Sequence, residues 1–462
     1  MFPADIYQNR RTQLKSKIDH GILLFLGNEE TPMNYPANTY PFRQDSTFLY
    51  YWGIDLPGFA AIIDLDEDRE IIFGDDFDMD DIVWMGPQPT VKELAEKVAV
   101  SQTKAFKDLT IYLNKALAAG RKIHFLPPYR PANILKLRKL LGISPDHIKL
   151  YASVPFIKAV VAQRSVKAPE EIAEIEKALE ITYEIHTQAM KLVKPGLFEY
   201  EVAGELQGIA LKHNGRLSFP LIFSVHGETL HNVSQLNRME EGRLVVNDCG
   251  GESAERYAGD ITRTFPVGKK YTDRQKAIYE IVLNAQMTAI ESIRPGIRYR
   301  DIHLKAAHVI TDGLKDLGLM KGSSVDAVTQ GAHALFFPHG LGHMMGLDVH
   351  DMEDLGEDYV GYDETIQRSD QFGLAYLRLA KALQPGFVLT VEPGIYFIPQ
   401  LIQLWKKEGR FYDFINYNKV EEFLDFGGVR IEDDVLVTED GHRVLGKPIP
   451  KKIDEVEALR NA

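Results

Sequence analysis

A helical pattern ending in Lys194-Pro195-Gly196 and resuming near Glu199 returns 100 residues later, ending in Arg294-Pro295-Gly296 and resuming near Arg300. Each copy then runs into strand-like segments opened by a glycine. Gly242 precedes Arg-Leu-Val-Val-Asn-Asp248 and Gly386 precedes Phe-Val-Leu-Thr-Val-Glu392, so a carboxylate stands six residues past the turn glycine in both. Further on, Gly259-Asp-Ile-Thr-Arg-Thr-Phe265 and Gly428-Val-Arg-Ile-Glu432-Asp-Asp-Val435 are two more β-like segments, each with an acid among apolar neighbours. Such a repeat predicts a duplicated α/β domain whose halves, related by a pseudo-two-fold, turn Asp248, Asp260, Glu392 and Glu432 toward one point. The repeat follows a boundary predicted near residues 163–169, where Pro169 and the acidic turn Glu170-Glu171 open a new helix. The expected domains are therefore 1–165 and 166–462. Along the new helix Ile172, Ile175, Leu179, Tyr183 and Met190 form an apolar stripe, and His186 beside it reads as a core histidine.

The first segment alternates strand-like runs, Gly21–Leu26, Phe59–Ile63 and Ile71–Phe73, with helical stretches near 93–117 and 131–141, which makes it an α/β unit. Its acidic run Asp75–Asp81 lacks the spaced ligands and terminal Glu of a calcium loop and reads as a solvated loop. With 53 Lys+Arg against 66 Asp+Glu the formal net charge is −13, which repels phosphate backbones and anionic lipid and argues against nucleic-acid or membrane partners. No apolar run reaches the ~18 residues of a membrane span. Residues 1–18 show no apolar stretch ahead of their charges, and the one cysteine, Cys249, cannot form an intrachain disulfide. A cytoplasmic protein is expected, with the sequon at Asn232-Val-Ser234 a chance match.

Carboxylates lined by Val, Leu and Ile are costly to bury without a compensating cation. Taken singly, each acid reads as a strand-end group paired with Lys or Arg; matched positions in both halves favour a metal. The stretch Phe337-Pro-His339-Gly-Leu-Gly-His343-Met-Met-Gly-Leu-Asp348-Val-His350-Asp351 adds three of the chain's 14 histidines. Gly340, Gly342 and Gly346 argue against a helical His-x-x-x-His zinc site and for a tight loop whose backbone approaches substrate or metal. Two Asp, two Glu and one His form an oxygen-rich set that suits manganese better than a thiolate-type zinc site. Five ligands exceed the needs of one ion, and two ions about 3.5–4 Å apart sharing a water or hydroxide are the usual arrangement for hydrolysis. A nearby carboxylate then takes the proton, and spare histidines donate to the oxyanion or leaving group.

Asp248, Asp260, His343, Glu392 and Glu432, in that order and within the motifs Gly259–Phe265, His339–His343, Val391-Glu-Pro-Gly394 and Val429-Arg-Ile-Glu432, closely resemble the ligand set of the pita-bread metallopeptidases. The likeness is to their proline-specific branch, aminopeptidase P and prolidase. It covers nearly the whole chain, because Tyr40-Pro-Phe-Arg-Gln-Asp-Ser46 and Phe48-Leu-Tyr-Tyr-Trp-Gly53 are similar to that branch's N-terminal domain. The resemblance implies a dinuclear, typically manganese-dependent peptidase cleaving the bond before proline; cobalt, zinc or iron can also occupy such sites. By the same resemblance Asp248 chelates one ion, Asp260 and Glu432 bridge both, and His343 with Glu392 completes the second. Glu392 also matches the general base. His231 and His350 match the pair that stabilises substrate and tetrahedral intermediate, and His339 the substrate-binding histidine. Arg430 resembles an arginine that orients the ligand carboxylates. Arg378 resembles one that contacts the substrate backbone or carboxylate, although it reads equally as a solvated helix charge. Trp84, in Val83-Trp-Met-Gly-Pro87, resembles a tryptophan supplied by a partner subunit, which implies a homodimer or higher homo-oligomer; a plain core or surface Trp fits as well.

The step from Asp248 to Asp260 is one residue longer than the family pattern, so a bulge or a longer turn is expected there. Extra lengths after His350 and between Gly394 and Gly427 resemble prolidase insertions and are expected at the cleft rim. The leading expectation is an Xaa-Pro aminopeptidase acting on peptides with proline second, supported by Tyr40–Ser46. The insertion carrying Arg378 speaks for the alternative, a prolidase or Xaa-Pro dipeptidase. A non-catalytic pita-bread binding module is disfavoured because all five ligand positions are kept. A methionine aminopeptidase is disfavoured because it has no need of the N-terminal domain.

Overall fold

In the computed structural model, which describes residues 1–461, the apolar runs near the N-terminus line up as one mixed sheet. Its strands are β1 (Ile22–Leu26), β2 (Ala60–Asp64), β3 (Arg69–Phe73), β4 (Gln102–Lys104) and β5 (Ile123–Phe125), ordered β4-β3-β2-β1-β5. The inner pairs are antiparallel and the outer pairs, β3–β4 and β1–β5, parallel. Helices Asp108–Ala118 and Pro131–Leu141 pack Leu109, Leu113, Leu137 and Leu140 with Ile22, Leu24, Ile62, Ile71 and Phe73 in one core. The helical stretch expected over 93–117 is broken. Helix Val91–Glu96 stops, Ala99 turns left-handed at φ 58°, and β4 adds to the free edge of β3, an edge pairing that local propensity does not encode. Acids of the 75–81 run serve the backbone: Asp75 and Asp76 accept from the N–H groups of Phe106 and Val91, and Asp78 caps helix Met79–Met85. These elements form a unit of Met1–Arg164 that also takes in Met352–Tyr359.

The second unit comprises Ser165–Asp351 and the chain from Val360 on. Its two Pro-Gly turns fold alike. Gly196 and Gly296 have φ of 98° and 84°, and their N–H groups donate to Met239 and Leu383 carbonyls, each at 2.8 Å. Bridges Phe198↔Arg238 and Arg298↔Ala382 follow at matching places. Helices Pro169–Leu192 and Glu199–Lys212 flank the first turn, and Asp273–Glu291 and Tyr299–Asp316 the second. A backbone device recurring with its long-range partners is the physical content of the duplication.

The first half supplies the sheet β6-β7-β8 (Ile222–Ser224, Leu244–Cys249, Ile261–Pro266). The second supplies β9 (Val388–Val391), β10 (Gly394–Tyr396), β11 (Gly428–Arg430), β12 (Asp433–Val437) and β13 (His442–Val444), paired as β13-β12-β9 and β10-β11. Gly242 and Gly386, at φ 84° and 86°, turn the chain into β7 and β9. The segment 428–435 is two strands where one was expected: β11 pairs with β10, β12 with β9, and between them the N–H groups of Ile431 and Glu432 donate to Pro393 and Thr262 carbonyls. Glu432 thus stands where the chain changes sheets. His186 is fully buried, with Nε2 3.1 Å from the Cys249 carbonyl and Nδ1 3.1 Å from the Asn247 amide, a satisfied core histidine.

Arg263, 1% exposed, joins the halves. Its guanidinium donates to the Glu432 carbonyl at 2.6 Å, the Ile449 carbonyl at 3.1 Å and Asp433 Oδ1 at 2.7 Å. Burial opposes the Asp433 charge, but Arg263 and Lys451 outweigh it and hold this carboxyl well below its usual range. Arg263→Ala leaves the Asp433 charge buried without its main partner and is expected to cost about 3–5 kcal/mol in urea unfolding; a change within about 0.5 kcal/mol, typical of surface sites, would contradict this role.

Candidate metal centre and cleft

The geometry of the candidate site begins with the β7–β8 hairpin. Asp248 pairs with Thr262 and Cys249 with Ile261, and the same register continues through Gly259 N–H to Gly251 O (2.9 Å) and the bridge Glu252↔Ala258. There is no bulge. The extra residue between Asp248 and Asp260 is taken up in the tip 253–257, where Ser253 donates to the Tyr257 carbonyl and Arg256 is left-handed at φ 71°. The strands approach so closely that a Cβ at Gly250 would lie 1.7 Å from the Gly259 carbonyl. The histidine loop lies equally flat on β9. A Cβ at Gly342 would lie 2.0 Å from the Thr390 carbonyl, the Thr390 N–H donates to the His343 carbonyl at 3.0 Å, and the His343 N–H donates to Thr390 Oγ1 at 3.1 Å.

Asp260, His343 and Glu432, all buried, bring ligand atoms within 4.8 Å of one another. His343 Nε2 lies 3.4 Å from Asp260 Oδ2 and 3.7 Å from Glu392 Oε1. Its Nδ1 sits 3.1 Å from the Met344 carbonyl, which can only accept, so Nδ1 carries the hydrogen and a neutral ring turns the Nε2 lone pair toward the acids. Asp248 accepts from Arg430 through Oδ2, while its Oδ1 and the Oδ1 of Asp260 are buried without a hydrogen-bond partner. Burial, reinforced by the neighbouring acids, pushes Asp260 up to about 6, Glu392 up to about 7 and Glu432 well above its usual value. Burial also opposes a charge on His343, but its contacts with Asp260 and Glu392 outweigh it and raise that group. Orphaned carboxylate oxygens, an imidazole Nε2 aimed at the acids and acids that resist ionising together fit a site for divalent cations.

Asp248, Asp260, His343, Glu392 and Glu432 all line one cleft of about 680 Å³, within the ~300–1,000 Å³ of typical ligand pockets. His231, His339, His350, Arg378 and Arg430 line it too, with Phe219, Ile222, Phe372 and Tyr376 as apolar wall. The His350 ring lies 4.1 Å from that of His343. Arg430 donates to Asp248, to Thr262 Oγ1 at 3.1 Å and to Tyr396 Oη at 2.9 Å, and Thr262 passes a 2.6 Å bond to Glu432 Oε2. His339 Nδ1 meets the Gly340 carbonyl at 2.8 Å, so Nε2 accepts from the Tyr396 hydroxyl, also at 2.8 Å. Burial and the Arg430 charge push His339 down to about 3, which keeps it neutral. Tyr396 and Thr262 escaped the sequence reading. Thr262 was open to it, since it shares a strand face with Asp260 two residues away; nothing local marks Tyr396. Trp84 stands 85% exposed on helix Met79–Met85 of the first unit, a surface tryptophan in this chain.

Comparison with known proteins bears on the same residues. Metallopeptidase family M24 matches residues 173–439, and the aminopeptidase P N-terminal domain matches 7–124. The Xaa-Pro aminopeptidase of Escherichia coli is 32% identical over 98% of this chain and 97% of its own. The Xaa-Pro dipeptidase of Homo sapiens is 33% identical over 95% of this chain and 88% of its own. The solved structure of zinc-substituted E. coli aminopeptidase P in complex with product superposes with a TM-score of 0.80 at 30% identity, covering 100% of this chain and 98% of that one.

The raised carboxyl groups predict proton linkage. A group whose folded pKa is raised holds its proton more tightly than in the unfolded chain, so the cluster's penalty on folding grows as pH rises from the ordinary carboxylate range toward about 7. Cations bind the charged form and remove that penalty. In chelator-stripped protein, added manganese should release protons at pH 6, read by calorimetry in buffers of different ionisation enthalpy, and the manganese-induced rise in thermal midpoint should grow from pH 5 to about 7.5. Binding without proton release would contradict the assignment.

Proposed function

Because this chain belongs to metallopeptidase family M24, we propose that it is a dinuclear Xaa-Pro aminopeptidase, which hydrolyses the bond between an N-terminal residue and a following proline. The observation that carries the reading is the convergence of Asp248, Asp260, His343, Glu392 and Glu432 on one cleft, with two acid oxygens left unpartnered. These five residues would hold two divalent ions, manganese for preference. When bound, the ions supply Lewis acidity toward the scissile carbonyl and lower the pKa of the attacking water.

The chain's own groups do the rest. Glu392, on the cleft wall beside His343, accepts the proton of the attacking water and delivers it to the proline nitrogen as the C–N bond breaks. His231 and His350, on the cleft wall, donate to the carbonyl oxygen as it gains charge. Arg430, through Asp248 and Thr262, holds two ligand carboxylates in place, and through Tyr396 it fixes the His339 tautomer. Arg378 lies on the same wall, where a cation can meet the peptide backbone. The domains we assign are 1–165 and 166–462, the latter catalytic, with Met352–Tyr359 grouped with the first unit. A lone buried cysteine suits a reducing cytoplasm, and no described helix is long and apolar enough to cross a membrane. Exposed Trp84 fits a homodimer or higher homo-oligomer in which it meets a second copy.

One observation favours a second reading. Arg378 on the cleft wall could meet the free carboxylate of an Xaa-Pro dipeptide, as a prolidase requires. The two are separated by hydrolysis of Gly-Pro and of Arg-Pro-Pro by chelator-stripped protein with and without manganese. Metal-dependent release of arginine from the tripeptide is expected; turnover of the dipeptide alone would make the protein a prolidase, and no cleavage with any divalent ion would overturn both. Asp260→Ala should abolish activity with the fold retained by circular dichroism. His350→Ala should lower turnover about 10²–10³-fold, as for loss of an oxyanion donor, with both ions still bound; loss of metal would contradict its role.

A further inference from the structure

Lys167 and Asp351 form an ion pair, Nζ to Oδ2 at 2.9 Å, with each side chain 1% exposed. Neither residue lines the cleft. Lys167 lies just past Ser165, where the chain enters the second unit, and Asp351 is the residue at which it leaves. Burying two opposite charges returns little net stability, and an apolar pair of similar volume commonly does as well, so stability is a weak reason for this one.

Its surroundings give a better reason. The Asp351 N–H donates to the Met344 carbonyl at 2.9 Å, which closes the loop 344–351 on itself, and the Lys167 N–H donates to the Gly386 carbonyl at 2.8 Å, at the turn leading into β9 and Glu392. The loop crosses the pair so tightly that a Cβ at Gly346 would lie 2.6 Å from Asp351 Oδ2 and 2.8 Å from Lys167 Cε. His350 directly precedes Asp351, and its ring rests 4.1 Å from that of His343. We propose that the Lys167–Asp351 pair is a positioning device that pins the loop and holds the His350 imidazole at the cleft. The proposal rests on the reading of His350 as a group that acts on bound substrate. A displacement near 1 Å at such a group costs up to about 10²-fold in rate.

The test uses Lys167→Met and the double variant Lys167→Met with Asp351→Asn, each in the native and the His350→Ala backgrounds, in manganese-loaded protein. The double variant leaves neither charge buried alone, so it keeps the test open if the single variant folds poorly. Kinetics on the better of Gly-Pro and Arg-Pro-Pro, bound manganese and thermal midpoint are measured together. In the native background kcat should fall about 10- to 100-fold with bound manganese unchanged and KM within about twofold. In the His350→Ala background the same substitutions should change kcat by less than about twofold, because the group they position is gone. Equal losses in both backgrounds, loss of manganese, or an unchanged kcat in the native background would overturn the proposal. The two failures are distinguishable: if His350→Ala alone leaves kcat intact, the role of His350 falls and the positioning proposal with it, whereas a normal His350→Ala defect beside unaffected pair variants overturns positioning alone.

Discussion

Four carboxylates around one imidazole cannot all be ionised in a buried cleft unless a cation shares the space, and much of the second unit can be understood as a means of tolerating that arrangement. Asp260, Glu392 and Glu432 are each pushed toward the protonated form. Asp248 is the one acid among them that an arginine contacts directly, Arg430. Two acid oxygens remain without any donor. The apolar strands around them supply the low dielectric that makes this costly, and that same dielectric strengthens the attraction for a divalent ion.

The duplication explains how a chain can assemble such a cluster. Each half brings a glycine turn, a buried strand and an acid at or beside the strand end, so one packing solution used twice delivers two pairs of acids. What differs between halves is then free to specialise. The first half closes with a hairpin, β7–β8, whose glycines let Asp248 and Asp260 approach. The second half breaks its strand between β11 and β12, and Glu432 sits at that break with Thr262 donating to it. Arg263 ties the break to the first half through the Glu432 carbonyl and Asp433.

The four acids and the histidines His339, His343 and His350 were legible in the sequence because repeats and clustered histidines are local patterns, whereas His231 was marked only by the family resemblance; all of them line a single cleft. The hairpin register was half legible: the longer spacing announced an irregularity, but whether a bulge or the turn absorbed it depends on cross-strand hydrogen bonds. The three-residue strands β4 and β5 were not legible, since an edge strand of that length is defined by its neighbour and not by its own residues. The network of Arg430, Tyr396 and Thr262 was hidden for the same reason. Its members are separated by up to 168 residues, and a tyrosine in a strand carries no local sign of whom its hydroxyl serves. Trp84 shows the limit from the other side, because its exposure gives it a surface without naming what covers that surface.

The central claim is that the acid cluster exists to hold two ions, and anomalous diffraction at the manganese edge from crystals grown with manganese tests it most directly. The account predicts two anomalous peaks about 3.5–4 Å apart, enclosed by Asp248, Asp260, His343, Glu392 and Glu432. A single peak elsewhere, or none at the cluster under saturating manganese, would contradict it.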